Sequence, residues 1–232
     1  ALLGITAAMR TGIGMVRYLG PKRVADLVLL SRPETVLQDG RAQAWVVGSG
    51  VPVDDAEQSA RIRKLVSEKN LIVVDAGALQ IVDFKNCSAK CVLTPHAGEA
   101  ATLLTSLGHA ITREQVEADP IAAALLIAEA TGQLTVLKGN RTVIAQGTKT
   151  YQFDPAPAVL ATAGSGDVLA GVVGALLAAN AESILSGDAE LFDVVKAAIN
   201  LQAQAAERAA KGSTVVALDI AEAIGRVVAA AE

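Results

Sequence analysis

The chain has 232 residues, 52% of them hydrophobic and only 3% aromatic, with a formal net charge of −4 and an isoelectric point near 5.3. That acidic balance leaves no basic footprint for nucleic acid, and the length admits one large α/β domain or two small ones. A core of Ala, Val, Leu and Ile with few rings suits parallel strands buried under helices on both faces.

The two cysteines, Cys87 and Cys91, have no Cys or His neighbours with which to form a zinc site and are too few for a disulfide framework. They read as reduced thiols of a cytoplasmic protein. A mean hydropathy of +0.42 raises the question of a membrane. The best candidate, Val168 to Ala179, contains two glycines and lies between Asp167 and Asn180. It falls short of the ~20 apolar residues a span requires, so it reads as a buried helix and no membrane partner is expected.

In chain order, Ala1 to Thr11 reads as a short helix stopped at Gly12. It has no basic flank and is not read as a signal peptide. It reads as a helix entered in mid-course, with native chain expected before Ala1. Met15 to Tyr18 and Ala25 to Leu30 are strand candidates, and Pro33 breaks the chain after them. Ala42 to Val47 is a cleaner strand that ends in Gly48-Ser49-Gly50, and open α/β sheets bind ligands at such strand ends. Asp54 to Glu68 is a charged helix. The β-branched run Leu71 to Val74 ends in Asp75, which reads equally as a ligand contact or as an N-cap. Lys90 to Leu93 is a strand leading into Thr94-Pro95-His96-Ala97-Gly98-Glu99 and then a helix over Ala100 to Ser106.

His96 sits in a strand-to-helix loop, where a functional and a structural role are both open. Glu99 is placed to cap the helix or to hold a phosphate-bound Mg²⁺ through water. Thr112 to Thr131 reads as one long helix that opens with a capping-box pattern, Thr112 to Gln115. Leu134 to Leu137 is a strand ending in Lys138-Gly139, either an approach to an anion or a hairpin with exposed charge. Val143 to Ala145 and Thr150 to Phe153 read as antiparallel strands, and Asp188 to Lys211 and Asp219 to Ala230 as closing helices. No repeat or linker appears, so one domain is assigned over residues 1–232.

The most informative stretch is Gly164-Ser165-Gly166-Asp167, a small-residue turn with one acid, followed at once by the apolar run. A helix starting there aims unpaired amides and the positive end of its dipole at the turn, an anion seat suited to phosphate. Asp167 at its mouth is a candidate base for a hydroxyl involved in phosphoryl transfer. The plainer reading is a turn with an Asp cap.

Five segments occur in an order that resembles the ribokinase-like superfamily and, within it, the ADP-dependent NAD(P)H-hydrate dehydratases. They are Val46–Gly50, Val74–Leu79, Leu93–Glu99, Val136–Thr142 and Ala161–Gly171. The resemblance implies a ribokinase-like three-layer α/β/α sandwich with a mostly parallel central sheet. Its substrate would be NADH or NADPH that has added water to the ring (NADHX or NADPHX). ADP would phosphorylate the ring hydroxyl, and elimination of phosphate would then restore the cofactor and leave AMP.

The resemblance assigns Asp167 as catalytic base and Gly50, His96 and Asp167 to the hydrated cofactor. It gives Gly164, Ser165 and Gly166 to the transferring phosphate and Lys138, Gly139, Asn140, Arg141 and Thr142, with Gly166, to the adenine nucleotide. Glu99 would help place Mg²⁺ through water. It further implies a homo-oligomer, with a tetramer as one form, and a separate hydrate epimerase as working partner. The sequence departs from the family's pattern at Ala97 and Ser49, where Pro is common, at Asn140-Arg141, and in lacking the Gly- and Pro-rich loop and first strand upstream. Two other readings share these motifs: an ATP-dependent kinase of a vitamin precursor or sugar alcohol, and a nucleotide-binding protein without turnover.

Overall fold

A computed structural model describes residues 1–230; the last two positions of the assigned domain, 231 and 232, lie outside the described residues. The chain divides into two compact units, one formed by Ala1–Ala44 with Pro157–Glu232 and the other by Trp45–Ala156.

The discontinuous unit opens with α1 (Leu2–Arg10) and α2 (Lys22–Ser31). The second of these corrects the strand expected at Ala25 to Leu30. In the run Val24 to Leu30 almost every residue is apolar, which masks its period, but Ala25 and Val28 alone are buried in this helix, one turn apart. Lys22 pairs with Asp26 across one turn at 2.8 Å, the i,i+4 arrangement of a helix surface. Pro33 then disfavours helical geometry at Arg32. The strand expected at Met15 to Tyr18 shrinks to a single bridge between Arg17 and Val36.

The continuous unit holds a six-stranded sheet in sequential order. Its strands and helices are β1 (Trp45–Val47), α3 (Ala56–Ser67), β2 (Leu71–Val74), α4 (Ala78–Ile81), β3 (Lys90–Leu93), α5 (Ala97–Ser106), α6 (Arg113–Ala118), α7 (Pro120–Thr131), β4 (Leu134–Leu137), β5 (Val143–Gln146) and β6 (Lys149–Gln152). Strands β1 to β4 are parallel, in a register that pairs Val46 with Val73 and Val73 with Val92. β5 and β6 are antiparallel, as expected from their turn at Gly147. Every residue of β2 and β4 is buried, the mark of strands covered on both faces. Val74, Leu93 and Leu137 of the sheet share one apolar cluster with Leu103, Leu104, Ile127 and Ala128 of the helices.

The single helix expected over Thr112 to Thr131 is two. Pro120 removes an amide and restricts Asp119, so α6 ends there. The Asp119 carboxylate then caps α7 by accepting the Ala122 amide at 3.0 Å.

The discontinuous unit resumes with α8 (Ser165–Ala179), α9 (Ala181–Ser186), α10 (Leu191–Ala209) and α11 (Ala217–Val228). α8 is buried along most of its length and packs on α1 through paired glycines. A side chain at Gly171 would collide with the Gly4 carbonyl and lie 2.8 Å from the Gly4 Cα, so the close approach of the two backbones depends on the glycine at 171. Glu222 of α11 ties Arg10 and Arg32 to the same unit. No helix among the described residues is long and apolar enough to cross a membrane.

Candidate active site

In the continuous unit, the carboxyl ends of the four parallel strands each lead into a polar residue, directly after the strand in three cases and one residue later, past Gly48, in the first. These are Ser49 after β1, Asp75 after β2, Thr94 after β3 and Lys138 after β4. They meet on one carboxylate. Asp75 accepts from the Thr94 hydroxyl at 2.7 Å, from the Lys138 ammonium at 2.9 Å and from the Ser49 hydroxyl at 3.1 Å. The Asp75 side chain is only 5% exposed and that of Lys138 19%. A charge so buried persists only when paired and hydrogen-bonded, and here three donors meet it. The structure thus corrects two open readings at once: Asp75 is not a helix cap, and Lys138 is not a solvated hairpin charge. The turn that follows is held in a rare conformation, with Ala76 at φ +47°, a cost of about 1–2 kcal/mol for a residue with a Cβ.

Glu99 lies 3.8 Å from the Lys138 ammonium and is itself bound into the start of α5. Its Oε2 accepts the His96 amide at 2.8 Å, while His96 Nδ1 accepts the amides of Gly98 and Glu99 at 3.1 and 3.2 Å. This reciprocal cap fixes the imidazole. An accepting Nδ1 puts the proton of the neutral ring on Nε2. That nitrogen faces Glu99 Oε1 at 3.6 Å, on a side chain that is 60% exposed. The Lys138 amide donates to the Pro95 carbonyl at 2.8 Å, which sets the His96 and Lys138 loops side by side.

His96 and the run Lys138, Gly139, Asn140 and Arg141 line a single cleft of about 660 Å³, with Arg113 of α6 on the same wall. That is a volume suited to a cofactor-sized ligand. Thr142 is half-buried behind the loop, its hydroxyl 3.5 Å from the Gly139 carbonyl. Gly50 stands at an exposed turn with φ +72°. Glu99 is the one carboxylate on this loop; its Oε2 meets both the His96 amide and the Lys138 ammonium, and its Oε1 faces His96 Nε2. Among the described residues no group of three or more His, Cys, Asp or Glu side chains is gathered for a metal ion. A single carboxylate placed like Glu99 can meet a hydrated Mg²⁺ carried on phosphates through water.

In the discontinuous unit, Gly164 adopts φ +90°, the left-handed region that favours glycine, and α8 starts at the next residue. The amides of Gly166 and Asp167 are the second and third of the helix and have no hydrogen-bond partner among the described residues. Such amides make an anion site. Asp167 is in the first turn of α8 and half-buried. Ser165 points elsewhere: its hydroxyl donates to the Leu160 carbonyl at 2.8 Å, so its side chain braces the turn and only its backbone belongs to the seat.

Gln202, in the middle of α10 and buried, donates from Nε2 to the Ser165 carbonyl at 2.7 Å. Nothing in the sequence around Gln202 marks this role, because its partner is 37 residues away. Gln202→Leu is expected to lower the unfolding free energy by about 0.5–1.5 kcal/mol, the net worth of one such bond. Urea denaturation measures it, and an unchanged midpoint would show that the bond carries no stability.

The fold is that of the ribokinase-like class. A ribokinase-like superfamily protein of Enterococcus faecalis superposes with a TM-score of 0.79 at 21% identity, covering 99% of this chain and 81% of that one. An ADP/ATP-dependent NAD(P)H-hydrate dehydratase of Bacillus subtilis, co-crystallised with ATP and Mg²⁺, superposes with a TM-score of 0.84 at 23% identity over 100% of this chain and 84% of that one.

The sequence profile of the NAD(P)H-hydrate dehydratases matches residues 1–226, and the chain belongs to that family. A bifunctional NAD(P)H-hydrate repair enzyme of Corynebacterium glutamicum is 38% identical over 192 residues, which is 77% of this chain and 33% of that protein. An ADP-dependent (S)-NAD(P)H-hydrate dehydratase of Neisseria meningitidis serogroup B is 37% identical over 194 residues, covering 76% of this chain and 64% of that protein. The chain thus spans about a third of the length of the bifunctional relative and under two thirds of the single-function one.

Proposed function

We propose that the protein restores hydrated NADH or NADPH by ADP-dependent dehydration. The observation that carries this reading is the start of α8, where the Gly166 and Asp167 amides are unpaired beside the Asp167 carboxylate. It is supported by membership of the dehydratase family. In the proposed reaction the ring hydroxyl oxygen attacks the β-phosphorus of ADP, AMP departs, and Asp167 accepts the hydroxyl proton. Phosphate then leaves with the electrons of the carbon–oxygen bond, a neighbouring ring carbon loses a proton, and the double bond closes. Phosphorylation turns a poor leaving group into a good one, so the protein contributes position and charge stabilisation.

In this reading Gly164, Ser165 and Gly166 cradle the transferring phosphate through their backbone. Lys138, Gly139, Asn140, Arg141 and Thr142 take the adenine nucleotide, supported by the cleft that the first four of them line. Gly50 and His96 take the hydrated nicotinamide; the exposed Nε2–H of His96 is a ready donor for its carboxamide. Mg²⁺ neutralises the phosphates, with Glu99 meeting its water shell. The reading further includes one functional domain, a cytoplasmic location, a separate hydrate epimerase as working partner and a homo-oligomer, with a tetramer as one form. Exposed Leu27 and Leu30 on α2 support self-association.

Nucleotide analysis tests the chemistry. Incubation with hydrated NADH and ADP is expected to yield AMP and phosphate in equal amounts. Release of ADP from ATP with a vitamin-precursor alcohol, and no AMP from ADP, would replace the dehydratase reading with that of a small-molecule kinase.

A further inference from the structure

Away from the site, the two cysteines form a pair that the proposed reaction does not use. Cys87 follows the short turn Phe84–Asn86 and is half-buried, whereas Cys91 is the second residue of β3 and fully buried. Their sulfur atoms are 3.6 Å apart. Gln133 holds both ends of the pair: its Oε1 accepts the Cys91 amide at 2.7 Å, and its Nε2 lies 3.9 Å from the Cys87 sulfur. Cys91 is fixed by its strand, where it pairs with Ile72 of β2. Cys87 stands in the connection before β3, its thiol 3.6 Å from the Ala89 carbonyl.

We propose that Cys87 and Cys91 are a reversible oxidation site, converted to an intrachain disulfide by a hydroperoxide. To form the bond the sulfur–sulfur gap must close from 3.6 Å to about 2.05 Å. The environment divides the roles. The neighbouring Cys91 thiol lowers the Cys87 thiol to about 7, and Cys87 together with burial pushes the Cys91 thiol up. Cys87 is therefore the thiolate that reacts first, since the thiolate is the nucleophile and the half-exposed sulfur is the one a peroxide reaches.

The Cys87 sulfur attacks one peroxide oxygen, the oxygen–oxygen bond breaks, and the other oxygen leaves as water or alcohol, giving the sulfenic acid. The Cys91 sulfur then attacks the Cys87 sulfur. The sulfur–oxygen bond breaks, hydroxide takes the Cys91 proton and leaves as water, and the sulfur–sulfur bond is formed. Two thiols lose two electrons and the peroxide gains them. This inference stands on the thiol pair and not on the proposed function, so neither depends on the other.

The test is hydrogen peroxide treatment of the whole chain, followed by acid quench, denaturing alkylation and intact-mass analysis. The expected product has both thiols blocked to alkylation, has lost the mass of two hydrogen atoms, stays monomeric in chain length on a non-reducing gel, and returns to two free thiols with dithiothreitol. In Cys91→Ser, Cys87 is expected to stop at a sulfenic acid that dimedone traps, and in Cys87→Ser no peroxide product forms. Alkylation of Cys87 in the untreated protein should rise with pH through about 7. Two free thiols surviving in the wild type, a sulfinic acid on Cys87 with Cys91 still free, or a disulfide between two chains would each overturn the proposal. These wild-type outcomes decide it even where a variant fails to fold.

Discussion

Replacing Asp167 by Asn is expected to lower turnover of hydrated NADH with ADP by about 10²–10⁴-fold, the typical loss on removing a general base. Nucleotide affinity should stay within a few fold. The substitution keeps the size of the side chain and leaves the Gly166 and Asp167 amides where they are, because they belong to the backbone of α8. It removes only the carboxylate proposed to take the hydroxyl proton. Steady-state kinetics with ADP titration separates the two effects. A variant that loses binding and rate in equal measure would make Asp167 a structural cap, and one that keeps its rate would move the base elsewhere.

The second large effect falls on stability. Asp75→Ala leaves Lys138 with its 2.9 Å partner gone and only 19% of its side chain exposed. The Thr94 hydroxyl, 2.7 Å from the lost oxygen, is deprived of its acceptor as well. Breaking a buried pair from one side costs about 3–5 kcal/mol, because the remaining charge is stranded. Urea denaturation should show a loss of that size. Adding Lys138→Met to the same chain should recover part of it, since the stranded charge is then removed, and additive losses in the double variant would show that the two residues do not interact. Glu99, at 3.8 Å from the ammonium, offers partial compensation and sets the lower end of the range.

The strands of the sheet were legible in the sequence because short β-branched runs closed by a polar residue have few alternatives. Leu71–Val74, Lys90–Leu93 and Leu134–Leu137 stand where they were expected. The helix over Lys22–Ser31 was not, because Val24 to Leu30 is apolar at almost every position. Only packing decides which side is buried, and it leaves Leu27 57% and Leu30 82% exposed. The break at Asp119 is signalled in the sequence by Pro120, which restricts the residue before it.

In the candidate site, the turn at Gly164 and the start of α8 were legible because glycine and serine ahead of an acid and an apolar run carry local signals. The Asp75 hub was half legible. Asp75 and Lys138 each stood out at a strand end, but the ion pair joins positions 63 residues apart and exists only through the strand order. Thr94 carried the same signal, a polar residue closing a buried run, whereas Ser49 did not, since Gly48 separates it from β1 and Val46 there is 41% exposed. Gln202 offered no such signal, since its one visible role is a bond to a distant carbonyl.

The central claim is tested most directly by mixing the protein with hydrated NADH and Mg²⁺, with either ADP or ATP, and following the return of the reduced-nicotinamide absorbance. Recovery with ADP, accompanied by AMP, is expected. No recovery with either nucleotide would contradict it.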